Sequence, residues 1–397
     1  MHLYDLDYSK LRALKLLRRS DGLSRVELAE ALQLNKATVT TLTADLLRRG
    51  LIVEGVPQAA GRGRPRTRLS IDPDAGCAIS LYPLAGERAS IDIVNLRGER
   101  LFNRILPFPG MSDLSAWPAR CTALLSTVIE EGPMRLNQIC LAGVVLPGLV
   151  DQRRGIVHSW PFDPSHGAMP LGQLIEDELG IPVVLDNRAA VIARAEHWFG
   201  TEGERDNFSM AALLELGMNG ARYSNGRLQI GYNGMNADFS HVKVAFEDGR
   251  SCFCGGTGCL GTYASAYGIL ASRAANRGGG DLVGQDFNAA FDQVVRAARS
   301  GETDAIIAFT KAGRALGTAI ASHINEHDPG RFLIIATRAD MLDLFKPAFL
   351  ETLQMQMVAA LKDRTIIELR LVEESEHWKG AAALALEALY EGTSQPR

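Results

Sequence analysis

The sequence lacks the features of a membrane-spanning or secreted chain. Its 397 residues contain no run of eighteen or more uncharged apolar residues, which is about the length that a transmembrane helix requires. Residues 1–7, MHLYDLD, lack the charged-then-apolar layout of a secretory signal. We therefore expect a cytoplasmic protein that does not bind a membrane.

Cysteine is scarce, with six residues in total, and three of these fall between positions 252 and 259. Six cysteines are few for a disulfide framework, and their crowding is typical of a metal site in a reducing cytoplasm. Hydrophobic residues make up 46% of the chain. That share and the length indicate two or three domains with substantial cores.

The net charge of −4 alone argues against a nucleic-acid partner, but its distribution is uneven. Residues 1–70 contain 13 basic and 7 acidic side chains, a balance of +6, and the remainder contains 29 and 39, a balance of −10. Such asymmetry is expected when one domain contacts phosphates and the other does not. A solvated charged face is the common alternative, so charge alone does not decide.

Two short helices are predicted near the amino terminus. The first covers residues 8–19, where leucines recur at helical spacing, and Gly22 interrupts it. Ser24 and Glu27 have the spacing of a capping box, in which each side chain satisfies a free backbone amide at a helix start. The second helix begins there and ends near Leu32.

A third helix is predicted to start after Asn35, a good N-cap, and to end before Gly50. Its apolar positions Val39, Leu42 and Leu46 should face the core. A short helix, a tight turn and a helix with small polar residues at its amino end form a helix-turn-helix, whose second helix enters the major groove. The candidate DNA contacts of these two helices are Arg25, Asn35, Lys36, Thr38, Thr40 and Thr41.

A wing follows this motif. Residues 51–54 and 68–71 are predicted to form two strands, and the loop between them contains GRGRPR at 61–66. Arginines on a thin loop suit a narrow minor groove, where the negative potential is enhanced. The alternative is a flexible basic linker. The candidate contacts of the loop are Arg62, Arg64 and Arg66.

The segment CFCGGTGC at 252–259 contains Cys252, Cys254 and Cys259 in a C-x-C-x4-C pattern, with His241 eleven positions upstream. Three thiolates and an imidazole match tetrahedral Zn²⁺ with no open position, which predicts a structural site. Three buried free cysteines are the alternative, but packing does not explain such close spacing among glycines.

These motifs together resemble the ROK family (repressors, open reading frames and sugar kinases), and within it the transcriptional regulators of the xylose and N-acetylglucosamine repressor type. The resemblance covers nearly the whole chain. Its anchors are LLRRGLIVEG with GRGRPR, LPGLVD at 146–151, NGRLQIGYNG at 225–234, the cysteine cluster, and GAAA at 380–383. It implies an α/β fold with a winged helix-turn-helix and a two-lobed, actin-like ATPase sensor. It also implies a sugar or sugar-derivative effector in the cleft of the lobes, and a homodimer or dimer of dimers.

The chain departs from the kinases of that family at their ATP-binding elements. The kinases carry D-x-G-G-T where residues 78–85 read AISLYPLA, and a loop like G-T-G-I-G-x-G where residues 215–221 read ELGMNGA. A third glycine pair is replaced around Ala336 and Thr337. Side chains block the close phosphate approach that glycine permits. We therefore expect no ATP cofactor.

The position of the catalytic aspartate also differs. The Asn-Asp pair of the kinases corresponds here to Asn187 and Arg188, and a guanidinium that stays protonated cannot act as a base. This change predicts that the chain is not an enzyme.

The resemblance implies a partly retained effector site of Asn187, Arg188, Asp238 and His241. A second glutamate of the family falls at Gly261 and is absent. One hypothesis is that Arg188 recognises an acidic group such as a uronate or a phosphorylated sugar. The alternative is that Arg188 pairs with Asp238 and closes the site.

The sequence thus predicts a transcriptional regulator, most simply a repressor of carbohydrate uptake or catabolism genes. Its predicted domains are a winged helix-turn-helix at 1–72, a small α/β lobe at 73–185 completed by a helix at 378–392, and a large lobe at 186–377 with the zinc motif and the dimer surface. A sugar kinase with an added DNA-binding domain and a regulator controlled by a protein partner are the alternatives.

Overall fold

The computed structural model describes residues 6–56, 67–163, 165–201, 204–214, 217–236, 238–276 and 287–391. It divides into two compact units. Unit 1 comprises Met1–Val191 with His377–Arg397, and unit 2 comprises Ile192–Glu376. No helix in the described ranges has the length and apolar character needed to cross a bilayer.

Unit 1 begins with a winged helix-turn-helix. Its helices and strands are α1 (Tyr8–Arg18), β1 (Leu23–Ser24), α2 (Arg25–Leu32), α3 (Lys36–Arg48), β2 (Ile52–Glu54) and β3 (Arg68–Ile71). The strands form an antiparallel sheet in the order β1-β3-β2. The predicted elements are confirmed, except that α1 ends one residue early and β2 starts one residue late.

Local side-chain chemistry sets the ends of these helices. Ser24 and Glu27 form the predicted capping box, in which the backbone N–H of each donates to the side chain of the other. Gln33 adopts the left-handed conformation, with φ of 57°, and ends α2. Asn35 Oδ1 accepts a hydrogen bond of 2.8 Å from the backbone N–H of Thr38 and caps α3.

A five-stranded sheet forms the rest of unit 1. Its strands are β4 (Cys77–Leu84), β5 (Arg88–Asn95), β6 (Arg100–Pro107), β7 (Ile139–Leu146) and β10 (Val183–Asn187), in the order β10-β7-β4-β5-β6. Strands β10, β7 and β4 are parallel, and β4, β5 and β6 are antiparallel. The remaining elements are α4 (Trp117–Glu131), the hairpin β8 (Leu149–Asp151) and β9 (Ile156–Ser159), α5 (Leu171–Leu179) and the start of α6 (Arg188–Phe199).

The last helix of the chain, α12 (Glu374–Glu391), packs on this sheet. Gly143 on β7 makes room for it, because a Cβ there would lie 3.1 Å from the carbonyl oxygen of Ala381 and 3.2 Å from the Cβ of Ala385. The hydroxyl of Tyr390 donates a buried hydrogen bond of 2.8 Å to the carbonyl of Leu96. Helix α12 is therefore part of the core of unit 1.

Unit 2 is built on a second five-stranded sheet in the order β13-β12-β11-β14-β15. The strands are β11 (Phe208–Leu213), β12 (Met218–Ser224), β13 (Arg227–Leu228), β14 (Arg331–Ala336) and β15 (Ile366–Leu371). Its helices include α7 (Gly261–Ala264), α8 (Ala266–Asn276), α9 (Phe287–Arg299), α10 (Thr303–His327) and α11 (Ala339–Gln356). The core contains Phe291, Phe309, Phe332, Phe345 and Phe349.

Candidate functional sites

The amino end of α3 presents an exposed polar surface. Asn35, Lys36, Thr38, Thr40 and Thr41 are all exposed, whereas Val39, Leu42 and Leu46 are buried. The hydroxyls of Thr40 and Thr41 donate to backbone carbonyls four residues earlier, at 2.8 and 3.2 Å. This arrangement holds the hydroxyl oxygens and methyl groups in fixed positions on the helix surface.

Arg25, the first residue of α2, is held within the domain. Its Nε donates to Oγ1 of Thr43 at 3.0 Å, and its Nη2 donates to Oε1 of Glu54 at 2.7 Å. The side chain is about one third exposed. Arg25 therefore joins α2, α3 and β2, and part of its guanidinium remains open to a phosphate.

A cluster around Asp45 was not foreseen from the sequence. Its carboxylate accepts from Lys10 of α1 and from Arg48 and Arg49 at the end of α3. The hydrogen bond from Lys10 and the neighbouring cations lower the pKa of Asp45 to about 2. This cluster fixes α3 on α1 and neutralises part of the basic charge of the domain.

The predicted wing contacts Arg62, Arg64 and Arg66 lie outside the described residues.

In unit 2 the predicted metal ligands come together. The ligand atoms of His241, Cys252, Cys254 and Cys259 all lie within 4.8 Å of one another. Cys252 Sγ is 3.5 Å from His241 Nδ1, and the sulfurs of Cys254 and Cys259 are 3.7 Å apart. Three sulfurs and one imidazole nitrogen at these separations fit the four ligands of a tetrahedral metal ion.

His241 is oriented by a carboxylate on its other side. Its Nε2 lies 3.4 Å from Oδ2 of Asp238. The other oxygen of Asp238 accepts from the backbone N–H and the hydroxyl of Ser240. A carboxylate on the far nitrogen of a ligating histidine fixes the tautomer and the ring orientation. Asp238 thus has a local structural role beside the effector contact predicted for it.

In unit 1 the other predicted effector residues lie where β10 meets α6. Oδ1 of Asn187 accepts from the backbone N–H of Ala190 at 2.9 Å, which caps α6 and orients the amide. Nε of Arg188 donates to the hydroxyl of the buried Tyr82 at 3.1 Å, and its Cζ lies 5.7 Å from the centre of the Tyr82 ring. Tyr82 is therefore a further contact of this arginine that the sequence did not indicate.

The described residues of the segments that the sequence analysis matched to the phosphate loops of the kinases lie in strands and turns. After β4 the chain turns through Gly86 and Glu87, both with positive φ, into β5. Between β11 and β12, the N–H of Leu214 donates to the carbonyl of Gly217 at 3.0 Å. Gly220 packs closely, since a Cβ there would lie 2.8 Å from the carbonyl oxygen of Met210 and from Phe239 Cβ.

Comparison with known families agrees with this architecture. The model of the ROK family matches residues 120–388. The chain belongs to the ROK family. A model of the MarR family matches residues 4–63, which contain the helix-turn-helix described above.

Two curated relatives from Escherichia coli strain K12 match over nearly their full length. The DNA-binding transcriptional repressor Mlc is 25% identical over 96% of this chain and 93% of its own. The DNA-binding transcriptional dual regulator NagC is 27% identical over 94% of this chain and 90% of its own. The predicted resemblance to regulators of the family is therefore confirmed.

Solved structures show the same fold. A ROK family transcriptional regulator, described as a homologue of the Escherichia coli Mlc protein, has a TM-score of 0.78 at 25% identity and covers 97% of this chain and 96% of its own. A ROK family glucokinase from Streptomyces griseus has a TM-score of 0.60 at 22% identity and covers 79% of this chain and all of its own. The predicted fold class, a winged helix-turn-helix joined to a ROK domain of the actin-like kinase fold, is confirmed.

Proposed function

We propose that this chain is a sequence-specific DNA-binding transcriptional regulator that represses genes of carbohydrate uptake or catabolism. The observation that carries the proposal is the exposed polar amino end of α3 in a winged helix-turn-helix that continues into a ROK domain. The curated relatives with the same layout are named as DNA-binding transcriptional regulators.

In the proposed complex, the amino end of α3 enters the major groove. Lys36 and Thr38, Thr40 and Thr41 contact bases or phosphates, and Asn35 and Arg25 contact the backbone. Arg62, Arg64 and Arg66 of the wing reach the adjacent minor groove. A homodimer, or a dimer of dimers, places two such heads on half-sites one helical turn or a multiple of it apart.

The proposed signal is a sugar or an acidic sugar derivative. In unit 1, the amide nitrogen of Asn187 is the atom offered to the ligand, because the oxygen caps α6. Arg188, held by Tyr82, supplies a positive charge where the kinases have a carboxylate, which favours an anionic group. In unit 2, Asp238 and His241 are the proposed ligand contacts. The competing hypothesis, that Arg188 pairs with Asp238, predicts a protein that ignores sugars.

Zn²⁺ is the metal that the cluster in unit 2 fits. His241, Cys252, Cys254 and Cys259 would hold it with no position left for a substrate, so its role would be structural. A bound ion would fix the segment that carries Asp238 and His241. Loss of a ligand should therefore weaken the response to the effector as well as the fold.

We further propose that the chain transfers no phosphoryl group. Arg188 replaces the base of the kinases, and side chains occupy most of the glycine positions of their phosphate loops. The fold shared with a glucokinase makes sugar phosphorylation the second candidate function. Release of ADP by the purified protein with ATP and a panel of sugars would establish that candidate.

Selection of bound fragments from genomic DNA by the full-length protein at physiological salt tests the main proposal. We expect enrichment of a pseudo-palindromic sequence, and alanine at Arg62, Arg64 and Arg66 together should abolish it. Failure of the wild-type protein to enrich any sequence would contradict DNA binding.

A thermal-shift screen of neutral and acidic sugars tests the effector class. A ligand at 100 times its dissociation constant stabilises a folded protein by about 2.7 kcal/mol. Stabilisation by acidic sugars that is lost in Arg188→Gln supports the anionic effector. Stabilisation by neutral sugars alone contradicts it.

A further inference from the structure

Lys243 lies beside the proposed metal ligands without being one of them. Its Nζ donates a hydrogen bond of 2.8 Å to Sγ of Cys259. Cys259 is buried, whereas Lys243 approaches it from the exposed side. The sequence pattern of cysteines and histidine does not indicate this contact.

Backbone pairing places the two side chains together. Lys243 and Cys259 are opposite residues of an isolated antiparallel bridge. The flanking hydrogen bonds run from Leu260 N–H to the carbonyl of Val242, at 2.8 Å, and from Val244 N–H to the carbonyl of Gly258, at 2.9 Å. The pair is thus of the non-hydrogen-bonded type, in which opposite side chains are closest.

A glycine makes room for the lysine head group. A Cβ at Gly256 would lie 2.7 Å from Nζ of Lys243, too close for both to stay in place. The same Cβ would lie 3.6 Å from Sγ of Cys254, which is ordinary van der Waals contact. A side chain at 256 would therefore displace the flexible ammonium of Lys243 before it disturbed the thiols.

The positive charge of Lys243 would affect the electrostatics of a bound metal ion. Three thiolates, a neutral imidazole and Zn²⁺ together carry one net negative charge. The ammonium of Lys243 cancels it and donates a charge-assisted hydrogen bond to a ligand sulfur. Both effects withdraw electron density from the thiolate and disfavour its attack on an electrophile. Because Zn²⁺ binds only deprotonated thiols, an ammonium that stabilises the thiolate also favours retention of the ion. Outer hydrogen-bond partners of metal ligands commonly change metal affinity 10- to 100-fold.

We propose that Lys243 is a positioning and charge-compensating residue of the metal site, which retains the ion and protects the thiolates. This inference rests on the proposed zinc site and concerns a residue that is not a ligand. The observations that carry it are the cross-strand pairing of Lys243 with Cys259 and the hydrogen bond between their side chains.

The test compares full-length wild-type protein with Lys243→Met. Zn²⁺ affinity is measured by competition with a chromophoric chelator, and thiol reactivity is measured as the rate of alkylation by iodoacetamide at saturating Zn²⁺. We expect about 10-fold weaker zinc binding and faster alkylation in the variant. In the Co²⁺-substituted protein, loss of the hydrogen bond should move the sulfur-to-metal charge-transfer band to lower energy. Lys346→Met, which removes an exposed lysine of α11 in the same unit, is the matched control.

A double-mutant cycle checks the geometry. Gly256→Ala should weaken zinc binding in the wild-type background because it displaces the ammonium. It should have little further effect when Lys243 is already methionine. If Gly256→Ala weakens zinc binding equally in both backgrounds, its effect arises from the loop backbone. That result would contradict an action of Gly256 through Lys243.

The outcomes distinguish failure of the proposed zinc site from failure of the proposed role of Lys243. Absence of zinc from the wild-type protein contradicts the proposed metal site. Zinc in the wild-type protein with unchanged affinity, band energy and alkylation in Lys243→Met contradicts the role of Lys243 alone. Equal weakening by Lys346→Met also contradicts it, because general charge would then explain the effect. Thermal unfolding at saturating Zn²⁺ verifies that each variant is folded.

Discussion

The Nη2 of Arg25 lies 2.7 Å from Oε1 of Glu54, which ties the start of α2 to the strand at the base of the wing. Both side chains are partly exposed, at 32% and 47%. Such pairs contribute about 0–1 kcal/mol to stability. The pair therefore restrains a cation that we propose contacts DNA more than it stabilises the domain.

Replacing Glu54 by glutamine should strengthen DNA binding. The change removes a negative charge near the proposed phosphate contacts and releases Arg25, while thermal stability should fall only slightly. Fluorescence anisotropy with a selected operator at fixed salt measures the affinity, and Arg25→Gln should weaken it. Equal weakening by both substitutions would show that the pair acts only by holding the wing in place.

Replacing Lys36 by alanine should weaken binding to all DNA sequences alike. A lysine that neutralises one phosphate contributes about 0.9 to the slope of log K against log salt concentration. The slope for Lys36→Ala should be smaller by about that amount, with the preference for the operator retained. A changed sequence preference with an unchanged slope would instead indicate that Lys36 contacts a base.

The boundaries of α2 and α3 could be predicted from sequence because local chemistry determines them. The capping box at Ser24 and the N-cap at Asn35 act within three residues, so the helix boundaries followed from the order of residues. The Asp45 cluster could not be predicted, since Lys10 and Asp45 meet only after α1 packs on α3.

The same distinction applies to the metal site. Cysteine spacing indicated the ligands, but the partner of Cys259 depends on the register of a strand pair sixteen residues apart. Tyr82 beside Arg188 is a more extreme example, because these two hydrogen-bonded residues lie 106 positions apart in the sequence. No local pattern encodes such contacts.

Removal of zinc should destabilise unit 2 and reduce the thermal stabilisation that the effector produces. Cys254→Ser removes one thiolate from a four-ligand set, so we expect a lower melting temperature and a weaker sugar-dependent shift. Differential scanning fluorimetry with and without added Zn²⁺ measures both. Cys140→Ser, at a partly buried cysteine of unit 1, serves as the control for loss of a thiol. An unchanged melting temperature for Cys254→Ser would contradict a structural metal.

His323 should make unit 2 sensitive to acid. Burial lowers the pKa of His323 to about 4, with smaller contributions from His327 and Arg222. Its Nε2 lies 2.8 Å from Oγ of Ser209. Because the folded pKa is below the unfolded value of about 6.5, the unfolded state binds more protons between pH 6.5 and 4. Stability is therefore lost as the pH falls through that window.

The lowered pKa of His323 corresponds to a loss of about 3 kcal/mol or less in the free energy of unfolding across this pH range. His323→Gln should flatten the decline in the melting temperature of unit 2 between pH 6.5 and 4. Metal binding is itself pH-dependent because its ligands must be deprotonated, so the informative quantity is the difference between wild type and variant at saturating Zn²⁺. Parallel pH profiles would rule out His323 as the source.

The packing of α12 on β7 has a consequence for synthesis of the protein. Gly143 and its neighbours are covered by residues of α12, which are translated long after the helix-turn-helix. A nascent chain in which α1, α2 and α3 have been synthesised therefore still lacks α12, the helix that packs on β7 in the same unit. Prematurely terminated products should therefore expose an apolar sheet face and be degraded, which would prevent them from occupying operators as unregulated fragments.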